Sequence, residues 1–119
     1  MRLPVLTALA LCLLLAACGA PGEVSVDDVK KCLESKDYQP TTEDQSASGF
    51  GEAVIVELPN ANRASINVFK SEDDAKEKEQ TLSQLVEGGG GEAKRNGNAI
   101  VSFVKPPSEG DEQKVDDCL

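Results

Sequence analysis

Ala53-Val54-Ile55-Val56-Glu57-Leu58, followed by Pro59-Asn60-Ala61-Asn62 and then by Ala64 to Phe69, is the stretch that decides the fold. A run of β-branched residues favours the extended chain, where its side chains stand clear of the backbone. Proline, asparagine and alanine then interrupt the run, and the strand pattern resumes at Ala64, which predicts a hairpin with a four-residue connection. Residues 53 to 56 are apolar without alternation, so the first strand belongs in the middle of a sheet. Ser71-Glu72-Asp73-Asp74 opens a helix directly afterwards. The Ser71 hydroxyl can accept from the third N–H of that helix, and the three acids suit its positive end. Ala75, Leu82, Leu85 and Val86 make one apolar face; Lys76, Lys78 and Glu79 lie opposite it.

Downstream, four glycines from Gly88 to Gly91 end the helix. No Lys followed by Ser or Thr comes after them, so they are not a phosphate-binding loop. Asn96-Gly97 then stands between two strand candidates, and both residues tolerate the positive φ of a type I′ turn. The expected register pairs Arg95 with Asn98 and Ala93 with Ile100. Pro106-Pro107 stops the second strand, and Ser108 with Asp111 opens a last helix facing inward through Val115, Cys118 and Leu119. Hairpin and capped helix therefore occur twice, at 53–86 and 92–119. The two sequences are too unlike for a duplication to be claimed.

Upstream, Ser25 and Asp28 give the same helix start, with Val26, Val29, Cys32 and Leu33 recurring at helical spacing. Between Asp37 and Glu52 the chain is polar, and its length is unusual for an ordered connection in a small domain. Disorder is the expectation there, with Tyr38 and Phe50 pinning its ends. The predicted fold is α+β: a mostly antiparallel four-stranded sheet with helices on one face, in the order αββαββα.

Residues 1 to 17 are of a different kind. Arg2 supplies a positive start and Leu3 to Leu15 an apolar core, long enough for a signal peptide and too short to span a membrane. Leu15-Ala16-Ala17-Cys18 closes the segment and resembles the lipobox of bacterial lipoproteins. The resemblance covers residues 1 to 18. It implies cleavage before Cys18, a diacylglyceryl group on the Cys18 sulfur, and a membrane-anchored protein on the extracytoplasmic side, at the cell membrane or the periplasmic face of the envelope. Residues 18–23 would then be a short tether and residues 24–119 a single domain. Cys12 is lost with the signal, which leaves Cys32 and Cys118. An even pair in an oxidising compartment predicts a disulfide.

Cleavage removes Arg2 alone among the charged residues, leaving 11 basic against 21 acidic side chains and a net charge of −10. Such a field repels nucleic acid and anionic headgroups and suits a cation or a basic protein. With no histidine and both mature-domain cysteines bonded, the usual general bases, thiol nucleophiles and zinc ligands are missing. The expectation is therefore no enzyme, no catalytic residues, no metal site and no cofactor. Glu72-Asp73-Asp74, Asp111-Glu112 and Asp116-Asp117 are oxygen-rich but lack the alternating spacing of a calcium loop. Only Asp116-Asp117, at the unfavourable end of a helix, has no explanation in helix electrostatics. The leading expectation is a lipid-anchored, non-enzymatic binding or accessory module. The chain also resembles small acidic lipoproteins that inhibit basic secreted enzymes such as lysozyme, in size, charge and export. A carboxylate-dependent hydrolase is the remaining alternative.

Overall fold

The computed structural model describes residues 23–119; Cys18, the preceding signal segment and most of the tether lie outside them. Eight regular elements follow in order: α1 (Val26–Ser35), β1 (Thr41–Asp44), β2 (Glu52–Leu58), β3 (Asn62–Val68), α2 (Glu72–Gly88), β4 (Glu92–Asn96), β5 (Ala99–Phe103) and α3 (Glu109–Asp116). The fold is α+β with an antiparallel sheet, ordered β1-β2-β3-β5-β4. All three serine caps form as the sequence predicts: Ser25, Ser71 and Ser108 accept from the backbone N–H of Asp28, Asp74 and Asp111.

The first correction to the predicted fold concerns its strands. The sheet has five strands rather than four, and the order is αβββαββα rather than αββαββα. The additional strand, β1, lies in the segment expected to be disordered. Thr41–Asp44 pairs with the outer edge of β2 through backbone groups, so its polar, fully exposed side chains carry no strand signal. A short 3₁₀ turn at Ser46–Ser48 follows. Asn67, buried on β3, donates to the Gln45 side chain and to the Phe50 carbonyl and so ties the segment down. Tyr38 and Phe50 do pack against the core at its two ends.

The second correction is that helices cover both faces. Val54, Val56, Ala64, Ile66, Ala99, Val101 and Phe103 point one way, and α1 and α3 close over them through Val29, Leu33, Val115 and Cys118. Ile100 points the other way and packs with Phe69, Ala75 and Leu82 beneath α2. Neighbouring residues of β4 show the division, because adjacent strand side chains face opposite sides. Lys94 bonds to Glu112 and Asp116 of α3, whereas Arg95 bonds to Glu72 and Glu79 of α2. The two hairpin–helix units therefore place their helices on opposite sides of one sheet.

Both hairpin turns differ from the expected ones by about a residue. Leu58 pairs with Asn62, leaving three connecting residues, of which Asn60 and Ala61 have φ of 63° and 56°. In the second hairpin Asn96 pairs with Ala99, so the turn residues are Gly97 and Asn98 and the register Arg95–Asn98 is not formed. Gly97, with φ of 60°, alone takes the positive-φ position, as a type II′ turn requires. Asn98 is thereby freed for another task.

Candidate functional site

Cys32 on α1 and Cys118, just after α3, are bonded, with their α-carbons 5.5 Å apart. Each helix brings its cysteine to the sheet-facing side: Cys32 follows Val29 by three residues, and Cys118 follows Val115 by three. The link joins the beginning of the domain to its end, a separation of 86 residues. Of the two sequence-predicted sites, this one is therefore formed; the lipidation site at Cys18 lies outside the described residues.

The chain enters the domain at Val24, and Asn98 holds it there. The Asn98 Oδ1 accepts from Val24 N–H at 2.8 Å, while its Nδ2 donates to the carbonyls of Val24 and Phe69 at 2.8 and 2.9 Å. With 3% of its surface exposed, Asn98 is a buried amide whose donors and acceptor are nearly all satisfied. The sequence pattern places this residue in a strand; the signal for the clamp is an amide at a hairpin turn in place of an exposed polar residue. Beside Val24 opens a cleft of about 650 Å³ between the start of α1, the 46–51 segment and the first turns of α2. Val24, Val26 and Phe69 form its apolar part, and Lys70 and Lys78 share its rim with Glu52, Asp74 and Glu77. The mixed charge gives no preference for an anion or a cation.

Each acidic cluster holds at least one of the protein's own cations, Glu72 pairing with Arg95 and Lys76. Asp116 and Glu112 hold the Lys94 ammonium at 2.6 and 2.8 Å, and Asp117 pairs with Lys36. Partial burial alone would lower the Lys94 pKa, but the bonds to Asp116 and Glu112 outweigh it and raise the group above its ordinary value. Asp116-Asp117 at the end of α3 is thus explained by two lysines that no sequence spacing connects to it. Asp111 accepts from the Tyr38 hydroxyl at 2.8 Å. Burial and this carboxylate together push Tyr38 up to about 12. Among the described residues no group of three or more acids or cysteines is disposed to hold a metal ion, and no helix is long and apolar enough to cross a membrane.

No protein-family model, curated protein or solved structure matches the chain.

Proposed function

We propose that the protein is a lipid-anchored cell-envelope protein, held by an acyl group on Cys18 and acting as a non-enzymatic binding module. The observation that carries this reading is the lipobox-like Leu15-Ala16-Ala17-Cys18 at the end of an apolar segment, six residues before the clamped Val24. A tether of that length keeps the domain within roughly 20 Å of the bilayer surface. The staple between Cys32 and Cys118 suits an oxidising compartment, where such bonds persist.

The charge supports a basic partner. Ion pairs engage Glu57, Glu72, Glu79, Glu112, Asp116 and Asp117. The other 15 of the 21 acids have no ion-pair partner among the described residues and outnumber the six lysines that also have none, so the net field stays negative. Basic proteins are the partners such a field attracts, and inhibition of a basic secreted enzyme is the specific form that binding would take.

The test is mass spectrometry of the mature N-terminus with membrane fractionation of the wild-type chain and Cys18→Ser. An acylated Cys18, and loss of membrane association in the variant, is the expected result. A mature chain that keeps residues 1–17, or a variant that still fractionates with membranes, refutes the anchor. In parallel, the mature chain in nonionic detergent should retain a basic protein from envelope extract at low salt and release it at moderate salt. Retention of nothing basic refutes the choice of partner.

A further inference from the structure

At the end of the sheet away from Val24, α2 leaves part of its face bare. The helix crosses β4 and β5, so Ile55 and Ser65 on the neighbouring strands remain half-exposed on the same side. Between the last turn of α2 and these strands lies a recess of about 290 Å³, bounded by Val86, Gly89 and Val104, with Ser65 and Ser102 from the strands. It is open to solvent, a surface hollow rather than an enclosed cavity, with room for one large apolar side chain. Leu85 and Val104 are the large apolar residues exposed among the described ones, at 63% and 55%; Val104 lines the recess and Leu85 precedes Val86 on α2.

Ser102 is a further feature of this face. Ser102 is 8% exposed, and its hydroxyl is shut off from solvent without any hydrogen-bond partner.

Charge selects the occupant. Arg63, at the edge of the recess, already gives both Nε and Nη2 to Glu57 at 2.8 Å, so it does not call for an anion. The last turn of α2 carries Glu87 and no basic residue and is the negative end of the helix dipole, its Val86 and Glu87 carbonyls accepting from Gly89, Gly90 and Gly91. A second copy of the domain would bring together two net charges of −10, counted over residues 18–119. A cationic partner meets every one of these conditions.

We propose that this recess is the docking site for a basic protein segment that inserts one large apolar side chain beside Val86 and Val104. Lysine or arginine next to the inserted residue reaches the Glu87 carboxylate at the negative end of α2. The recess lies at the far end of β5 from the Val24 clamp, so it faces away from the anchored end of the domain. The proposal rests on the binding-module reading but not on the lipid at Cys18.

The probe is an amidated hexapeptide with two central leucines flanked by lysines, compared with versions in which glutamine or glutamate replaces every lysine. Isotope-labelled mature protein in nonionic detergent is titrated and followed by amide resonances. The lysine peptide should bind with a dissociation constant of about 1 mM or tighter, moving the signals of Val86, Ser102 and Val104. Leu85→Gln with Val104→Gln changes only exposed side chains and should weaken binding about tenfold, because the inserted residue then finds polar amides where it would have covered apolar surface. Raised salt should weaken it further, and the glutamate peptide should not bind. Silence with the lysine peptide, shifts confined to other residues, equal binding of the glutamate peptide, or an undiminished double variant each overturns the proposal. So does a concentration-dependent movement of the same signals without peptide, which would mean self-association. If the peptide is silent while a basic envelope protein is still retained, the recess alone is refuted; if both are silent, the binding reading falls as well.

Discussion

Replacing Cys32 and Cys118 by alanine tests how much of the fold depends on the staple. The bond closes a ring of 86 residues. On the chain-entropy argument a ring of that size removes about 4.5 kcal/mol of conformational freedom from the unfolded chain at room temperature, before any strain is subtracted. Whole domains are stable by about 5 to 15 kcal/mol, so the double variant loses a large share of its margin. For a domain of this size each kcal/mol moves the melting temperature by about 4 °C or more, which predicts a fall on the order of 20 °C. Cys118 is 7% exposed and Cys32 partly buried, so part of the loss comes from packing beside Val29, Leu33 and Val115. Reducing the wild-type bond separates the two contributions, because reduction keeps the sulfurs. Urea unfolding of the oxidised, reduced and double-alanine proteins, each in nonionic detergent, gives the three stabilities. Equal midpoints for oxidised and reduced protein, or two free thiols in the unreduced denatured chain, would refute the reasoning.

Three other outcomes are expected. Tyr38 is the chain's one tyrosine and there is no tryptophan, so the tyrosinate absorbance reads it alone; it should titrate at about 12 and lower in Asp111→Asn, staying above the ordinary phenol value because burial, the larger cause, remains. Because the folded pKa is the higher one, the protonated phenol is favoured by folding. That contribution is complete below pH 10 and disappears as the pH rises through 12, so a stability gain over that range would contradict it. Asn98→Ala leaves the Val24 N–H, Val24 carbonyl and Phe69 carbonyl without their partner and should cost about 2 to 4 kcal/mol, with faster hydrogen exchange at Val24; an unchanged exchange rate there would remove the clamp. Ala61→Gly should stabilise by about 0.5 to 1 kcal/mol in thermal melts, since alanine is strained at a φ of 56° and glycine is not; a lower melting temperature would refute that turn geometry.

The elements that burial patterns could reach were legible. Both hairpins, the three serine caps and the Cys32–Cys118 pair follow from local chemistry: β-branched runs, Ser-x-x-Asp starts, and cysteines spaced onto apolar helix faces. β1 was not legible, because an edge strand of threonines and acids is held by backbone bonds to β2 and by the Asn67 amide behind it, neither of which is written in its own residues. The two-sided cover was equally hidden. Ile100 sits among apolar neighbours on both sides in sequence, and a fully buried strand loses the alternation that would reveal two faces. The turn after β4 moved by one residue because Asn98 gains three buried hydrogen bonds by leaving the strand. A local preference for asparagine and glycine in a type I′ turn is too small to compete with that.

The arrangement of Lys94 and Arg95 shows why the acids cannot all be assigned to partners outside the chain. One ammonium and one guanidinium, adjacent in sequence, reach opposite faces of the sheet and draw Glu112 and Asp116 to one side and Glu72 and Glu79 to the other. These acids fasten the helices, and each exposed pair contributes about 1 kcal/mol or less. If the protein binds a basic partner as proposed, what remains for recognition is the unpaired acid population, dispersed over α1, the β1 segment and the outer face of α2. A dispersed field attracts a basic partner from a distance but does not orient it, so affinity must come from a shaped apolar surface. The recess beside Val86 and Val104 is where the described surface combines such a shape, an unpartnered hydroxyl and the negative end of a helix.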